Sequence, residues 1–155
     1  MKRLLTAFLF LSFSWTLFSA DTAELENKLK NAPPEQQAGV LIQLSYAHRH
    51  DSPDQAIEYG TRAAQLAKQF NQKKQEAAAL NNTGLGYINK GKYETGLEFY
   101  YRAQVIYKEL GDLEAMAVLA SRIGNVFWYY GDLEKTLEYY TRSFTFFSGK
   151  NDSLS

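Results

Sequence analysis

The chain has 155 residues, about the size of one domain, and its 17 acidic and 17 basic side chains give a formal net charge of zero at neutral pH. Without a basic excess to contact phosphates, the composition argues against nucleic acid as a partner. The sequence contains no cysteine, which excludes disulfides, thiolate zinc sites and a lipid-modified N-terminal cysteine.

The first segment, residues 1–20, has the layout of a secretory signal peptide. Two basic residues precede an uncharged run rich in Leu and Phe, which ends in small residues at Ala20. The run is shorter than the roughly 20 residues of a membrane span. We therefore predict cleavage after Ala20. Because Phe18 stands where a small residue is preferred, an uncleaved N-terminal anchor is the alternative. The cleaved signal peptide and the uncleaved anchor both predict an exported protein, periplasmic or extracytoplasmic.

Helical patterns fill the rest of the chain. Residues 21–31 predict a short helix, with Leu25 and Leu29 one turn apart. Turns that combine Gly with Asp or Lys, or that contain Pro or Asn, then separate longer segments, since Gly ends helices and Asp caps them. No alternation typical of strands competes, so we predict an all-α fold. The six longer helices are predicted at residues 34–50, 53–70, 73–90, 93–110, 113–130 and 133–148.

A repeat of about 40 residues runs through these helices. Gly84 and Gly91 recur as Gly124 and Gly131, and a fainter copy lies one period earlier. A period in this range indicates a stack of similar helical units. Further matched positions are Ala77/Ala117, Glu94/Glu134, Leu97/Leu137, Glu98/Glu138, Tyr100/Tyr140 and Arg102/Arg142.

The pattern over residues 77–110 resembles a tetratricopeptide repeat, in a variety longer than the usual 34 residues. The residues that carry the resemblance are Leu80, Gly84, Tyr87, Gly91, Lys92, Tyr93, Gly96, Leu97, Tyr100 and Ala103. The third pair repeats it with Gly124, Phe127, Gly131, Leu133, Leu137, Tyr140 and Ser143, whereas the first pair diverges at Leu44, Ala47 and Gly60. The resemblance implies a right-handed α-α superhelix of three antiparallel helix pairs behind a short N-terminal helix.

The predicted organisation follows from this register. Its parts are a signal peptide at 1–20, an N-terminal helix and linker at 21–33, repeats at 34–72, 73–111 and 112–150, and the start of a truncated further repeat at 151–155.

The register also predicts how the helices pack. Gly84 and Gly124 lack side chains where the two helices of a pair cross, so a neighbouring aromatic ring can approach. Tyr87 and Phe127 are expected to fill the space between pairs. A Glu-x-x-x-Arg spacing recurs once per pair, which is typical of a solvated helix face. These pairs are Glu58/Arg62, Glu98/Arg102 and Glu138/Arg142.

The sequence contains little that points to catalysis. Its two histidines, His48 and His50, precede Asp51, but residues two apart on a helix point in different directions. We therefore predict no metal, no cofactor and no enzyme activity. A metal-dependent enzyme that uses His48 is the less favoured alternative.

The tetratricopeptide resemblance implies that the first helix of each pair lines a concave groove for a protein or peptide. Asparagine suits a peptide backbone because its amide donates and accepts. Arg122 suits a carboxylate, and Trp128 an apolar anchor. A solvated inner face is the alternative. The predicted groove residues are Asn81, Asn82, Leu85, Asn89, Ser121, Arg122, Asn125, Trp128 and Tyr129, with Leu41, Ser45, His48 and Arg49 from the first pair.

The chain closes on three phenylalanines, Phe144, Phe146 and Phe147, which we expect to form an apolar patch. Further repeats, a second copy of the chain or a partner would cover it. The resemblance suggests the extracytoplasmic sensory or scaffold part of a larger bacterial signalling protein, with membrane contact only through a downstream span or an uncleaved signal. A free-standing exported adaptor or assembly factor is the alternative.

Overall fold

The structure, a computed structural model, describes residues 21–152, with side chains as far as Gly149. The predicted signal peptide at 1–20 lies outside the described residues. Residues 21–152 contain seven helices and no strand, which confirms the all-α prediction. The helices are residues 21–31 (α1), Pro34–Ala47 (α2), Pro53–Gln69 (α3), Lys73–Asn89 (α4), Tyr93–Leu110 (α5), Leu113–Tyr129 (α6) and Leu133–Asp152 (α7).

Two helix ends differ from the predicted ones by more than one residue. α2 ends at Ala47, and turns occupy residues 48–51 before Pro53 opens α3. α7 continues to Asp152, four residues beyond its predicted end. A Cβ added at Gly149 would meet no neighbour within 4 Å, so no packed segment forces the chain out of the helix there. Residues 151 and 152 therefore belong to α7.

The four turns from α3 to α7 share one geometry at a spacing of 20 residues. A residue one or two positions after the end of each preceding helix has a positive φ between 59° and 73°. The next N–H donates to the carbonyl oxygen five residues earlier, at 2.7 to 3.0 Å. This bond satisfies a carbonyl that the helix end leaves unpaired, and glycine adopts the left-handed conformation without a steric cost. The four residues are Asn71, Gly91, Gly111 and Gly131.

The helices stack as antiparallel pairs in a solenoid. α2 packs on α3, α4 on α5 and α6 on α7, while α3–α4 and α5–α6 contacts join consecutive pairs. One buried apolar cluster runs through α4, α5 and α6 around Leu80, Tyr100 and Ile123. A second cluster around Leu41 and Ala63 joins α2, α3 and α4, with Leu29 of α1 packed against it.

Close approach at the repeated glycines is confirmed. A Cβ on Gly84 would lie 2.7 Å from Cδ1 of Tyr100, and a Cβ on Gly124 would lie 2.7 Å from Cδ1 of Tyr140. Real Cβ atoms do not come this close to a ring carbon, so each aromatic ring occupies the space that a side chain would need. In the first pair the large side chain lies on the first helix instead of the second: a fully buried Leu44 occupies the position where the later pairs have glycine.

Tyr87 and Phe127, predicted to fill the space between pairs, each stack on an aromatic ring of their own pair, and Phe127 also belongs to the buried cluster of α4, α5 and α6. Tyr87 stacks on Phe99 of its own pair, with 5.3 Å between ring centroids, and Arg102 lies over Phe99 at 5.1 Å. The recurring arginines thus cover rings as well as facing solvent. The third pair repeats the arrangement with Phe127, Tyr139, Arg142 and Glu138, which accepts a 2.5 Å bond from Arg142.

The two interfaces between pairs differ in width. Gly60 and Gly86 let α3 and α4 approach closely, since a Cβ on Gly60 would fall inside contact distance of Thr83. One repeat later the same positions hold Tyr100 and Val126. These larger residues hold α5 and α6 further apart, and the two helices accordingly make fewer close backbone approaches.

Candidate functional site: the face of the first helices

The first helices of the three pairs, α2, α4 and α6, present one shared surface, here called the first-helix face. Seven of the nine residues predicted for the groove are exposed or half-buried on it. Trp128 and Tyr129 are its most exposed aromatic residues, at 59% and 65%. The accessible members are Leu85, Asn89, Ser121, Arg122, Asn125, Trp128 and Tyr129.

Asn81 and Asn82 are not accessible in the way the sequence suggested. Both are buried, at 9% and 8% exposure. The Nδ2 group of Asn82 donates to the carbonyl oxygen of Ile42 at 3.1 Å, and that of Asn89 donates to the carbonyl oxygen of Arg49 at 2.5 Å. Each acceptor lies 40 residues earlier, so these amides join α4 to the preceding pair. They stabilise the stack, because Asn82 bonds to a carbonyl within α2 and Asn89 bonds to the carbonyl of Arg49, just beyond the end of α2.

The first pair adds less to this face than predicted. Leu41 is fully buried in the core, and Ser45 is 1% exposed. The Ser45 hydroxyl donates to the carbonyl oxygen of Ala56 at 2.7 Å, across the pair. The His48 ring stacks on Tyr59 with 5.7 Å between centroids. Leu41, Ser45 and His48 therefore have structural contacts.

Arg122 belongs to a polar network in the wider interface. Its Nη1 donates to Oδ1 of Asn81 at 3.1 Å, which connects α6 to α4. Burial raises the pKa of Tyr100 to about 12, and the neighbouring charge and hydrogen bond of Arg122 act in the opposite direction. Burial also raises the pKa of Tyr107, against a hydrogen bond with Asn81. The repeat pattern indicated only that Tyr100 packs in the core. Its hydroxyl group could have indicated a polar neighbour, because a buried tyrosine usually has a hydrogen-bond partner.

A cleft of about 420 Å³ lies beside this network, between α4 and α6. Lys74 Nζ and Asp112 Oδ2 form an ion pair at 2.9 Å across it. Asp112 also caps α6 by accepting from the Ala115 N–H at 3.0 Å. That backbone hydrogen bond, followed by the bond from Lys74, lowers the pKa of the Asp112 carboxyl. The residues that line the cleft are Lys74, Ala78, Asn81, Tyr107, Asp112, Glu114, Ala115 and Val118.

Trp128 is exposed because of a substitution on the facing helix. One repeat earlier, Ile88 holds the equivalent position and packs so tightly over Gly96 that a Cβ there would overlap its side chain. The third pair carries Thr136 in place of that glycine, and its hydroxyl donates to the Asp132 carbonyl at 2.7 Å. The space that accommodates Ile88 is therefore filled, and the larger indole remains in solvent.

Two further residues flank the indole. Tyr129 stacks on Tyr93 with 5.5 Å between centroids, which holds its ring in place. Asn125 lies one turn before Tyr129, and its Oδ1 accepts from the Tyr140 hydroxyl at 2.6 Å. That bond orients the Asn125 amide so that its NH₂ group is left as a donor. The result is an exposed apolar pair beside an oriented polar group on one rigid helix.

The described residues offer no arrangement for metal chemistry. No group of three His, Asp or Glu side chains within residues 21–152 is placed to hold an ion. Among the helices described, none is both long and apolar enough to span a membrane.

Comparison with solved structures identifies the architecture. The chain superposes on the crystal structure of the tetratricopeptide repeat domain of Arabidopsis FLU with a TM-score of 0.69, at 19% sequence identity, covering 76% of this chain and 99% of that one. The fold is that of a tetratricopeptide repeat domain. A second similar structure is BtubC (BKLC) from P. vanneervenii, with a TM-score of 0.63, at 16% identity, covering 85% of this chain and 54% of that one.

Sequence comparison gives a consistent but partial match. No protein-family profile matches the chain. The chain is 34% identical to the heat shock protein STI1 of Saccharomyces cerevisiae over 93 residues, a segment that makes up 59% of this chain. The chain spans about 15% of the length of this curated relative.

Proposed function

We propose that this chain is a non-catalytic repeat domain that binds a protein or peptide segment on its first-helix face, as a long-repeat member of the tetratricopeptide family. The observation that carries the proposal is the exposed indole of Trp128 beside the oriented amide of Asn125 on α6. Large aromatic anchors at the centre of an interface contribute most of the binding energy in many complexes. The solenoid fold and the similarity to STI1 support an interaction role.

The chemistry of this face suits an extended apolar segment with a polar backbone. Trp128 and Tyr129 provide apolar area, and Asn125 provides a donor for a backbone carbonyl. Arg122 uses one N–H on Asn81 and has further donors for an acceptor of the ligand, such as a carboxylate. Asn89 and Asn82 contribute indirectly, because they hold α4 in place.

A peptide selected on the immobilised chain from a random library tests the proposal. Trp128→Ala is expected to raise the Kd about 30-fold, and Asn125→Ala about tenfold. Val105→Ala is the matched control, since Val105 is 57% exposed on α5, away from this face. Glu98→Ala, on the same helix as Val105, is expected to leave binding unchanged. A larger loss from either α5 variant than from Trp128→Ala would show that the site lies elsewhere.

We further propose that the domain acts outside the cytoplasm, as the sensory or scaffold part of a larger signalling protein. The support is the charge and hydropathy layout of residues 1–20. Mass measurement of the protein recovered from the exported fraction is expected to show a chain that begins at Asp21. Full-length protein confined to the cytosol would refute export.

A further inference from the structure

α7 carries a stripe of exposed apolar side chains, of which Tyr140 also packs on α6, with its ring over Gly124. Five side chains project at successive spacings of 4, 3, 4 and 3 residues, the pattern of a helix–helix seam. All five are exposed, by 37% to 71%. The stripe, named here the α7 stripe, consists of Leu133, Leu137, Tyr140, Phe144 and Phe147.

The equivalent stripe one repeat earlier is an internal interface. Leu97, Tyr100 and Tyr107 of α5 are buried, and they share the main core cluster with Leu119 and Ile123 of α6. The same sequence positions on α7 therefore have the chemistry of a surface that packs against another helix. Exposure of such a surface in water is costly, at about 25 cal/mol per Å².

Phe146, predicted as part of the patch, does not belong to the stripe. It is half-buried and lines a cleft with Met116 and Ala120 of α6. Its ring meets Phe147 edge-on, with 5.2 Å between centroids. Phe146 thereby fixes the ring of Phe147 on the exposed side.

We propose that the α7 stripe pairs with the same stripe of a second copy of this chain, in an antiparallel dimer whose two-fold axis passes near Tyr140. The exposed fractions, applied to side chains of about 150–250 Å² each, give on the order of 500 Å² per copy. Two copies bury on the order of 1,000 Å², which reaches the lower limit of specific interfaces. For an interface this small we expect a dissociation constant in the micromolar range.

The charge pattern favours self-pairing in this orientation. The seam-flanking positions of α7 are threonine and serine, with the single exception of Glu134. Antiparallel pairing places Glu134 of one copy near residue 146 of the other and keeps the two carboxylates apart, whereas parallel pairing brings them together. It also sets Leu137 against Phe144 of the partner subunit, a smaller residue against a larger one.

The opposite end of the solenoid does not match the stripe. On the surface of α1 and α2 there, Ala32, Pro33, Gly39 and Val40 lie among the polar side chains of Lys28, Asn31, Gln36 and Gln43. Head-to-tail stacking would desolvate these polar side chains against aromatic rings, which offer them no hydrogen bonds. The stripe is therefore more complementary to itself than to the other end of the solenoid.

Sedimentation equilibrium tests the dimer. The sample is the chain from Asp21 to Ser155, which contains both core clusters and every inter-helix bond described above. A monomer–dimer equilibrium is expected between about 10 and 200 µM. Phe144→Glu is expected to raise the dissociation constant at least about 30-fold, because it buries two carboxylates in the seam. Val105→Glu, at an exposed apolar position on α5, is expected to leave it unchanged.

A monomer at the highest concentration would overturn the proposal and leave the stripe to another helix pair or another protein. Equal losses from Phe144→Glu and Val105→Glu would also overturn it. Unchanged helical circular dichroism confirms that each variant is folded.

Disulfide trapping tests the orientation independently of the affinity. The chain has no cysteine, so single introduced thiols report only on designed contacts. Leu137→Cys mixed with Phe144→Cys is expected to give a crosslinked heterodimer at least about tenfold faster than either variant alone. Faster crosslinking of each variant with itself would show parallel pairing and overturn the antiparallel assignment.

Discussion

Adding one methyl group at two helical glycines is expected to change stability in opposite directions. Gly39 lies within α2 and Gly84 within α4. In a helix interior, Gly→Ala stabilises by up to about 1 kcal/mol, because alanine loses less backbone entropy on folding. That gain is common to both positions, so any difference in outcome comes from the space that surrounds each Cβ.

The surrounding space differs sharply. At Gly39 the nearest atom to a new Cβ is Nε2 of Gln75 at 3.5 Å, an ordinary contact. At Gly84 the Cβ would lie 2.7 and 2.8 Å from two ring carbons of Tyr100 and 2.9 Å from the carbonyl oxygen of Gly96. Tyr100 is 1% exposed, so its ring has no space into which to move, and the carbonyl is backbone. Overpacking of this kind costs about 1–3 kcal/mol.

We therefore expect Gly39→Ala to stabilise the chain by about 0.5–1 kcal/mol and Gly84→Ala to destabilise it by about 1–2 kcal/mol. In a chain of this size each 1 kcal/mol corresponds to about 2–4 °C in Tm. Thermal unfolding followed by circular dichroism at 222 nm measures both shifts, with urea unfolding as a check on the free energy. A rise in Tm for Gly84→Ala that equals the rise for Gly39→Ala would refute the close α4–α5 crossing.

Two further predictions concern the helix ends. Gly111→Ala is expected to lower the free energy of unfolding by about 1–2 kcal/mol, because φ at this residue is +65°. A Cβ there would meet nothing within 4 Å, so the cost comes from the backbone conformation alone. An unchanged urea midpoint would contradict this. Asp112→Asn keeps the cap but removes the charge facing Lys74. Since the folded pKa of Asp112 lies below its ordinary 3.8, the stabilisation by its charge is present above pH 3.8 and is lost as the pH falls through the folded pKa. At pH 7 the variant should therefore be less stable than the parent by less than about 1 kcal/mol, and near pH 2 the two should be equally stable. A difference in stability that persists in acid would argue against the ion pair.

The helices and turns were predictable because their causes are local. A left-handed residue at the end of a helix needs glycine or asparagine, and the spacing of Gly91, Gly111 and Gly131 records that need directly. The small residue at Gly84 and the large one at Tyr100 likewise recur together, so their contact within a pair could be inferred from the repeat.

The candidate site depended on the placement of the helices relative to one another. The sequence predicted Asn82 as a groove residue. In the structure α2 packs close enough to α4 that the Asn82 amide bonds to the carbonyl of Ile42 and is buried. One repeat earlier, Gly96 leaves a space that the side chain of Ile88 occupies. In the third pair Thr136, on the facing helix, fills that space, so Trp128 stays exposed. Backbone conformation is decided within a few residues, whereas the exposure of a side chain depends on the volume of residues that only the folded stack brings together.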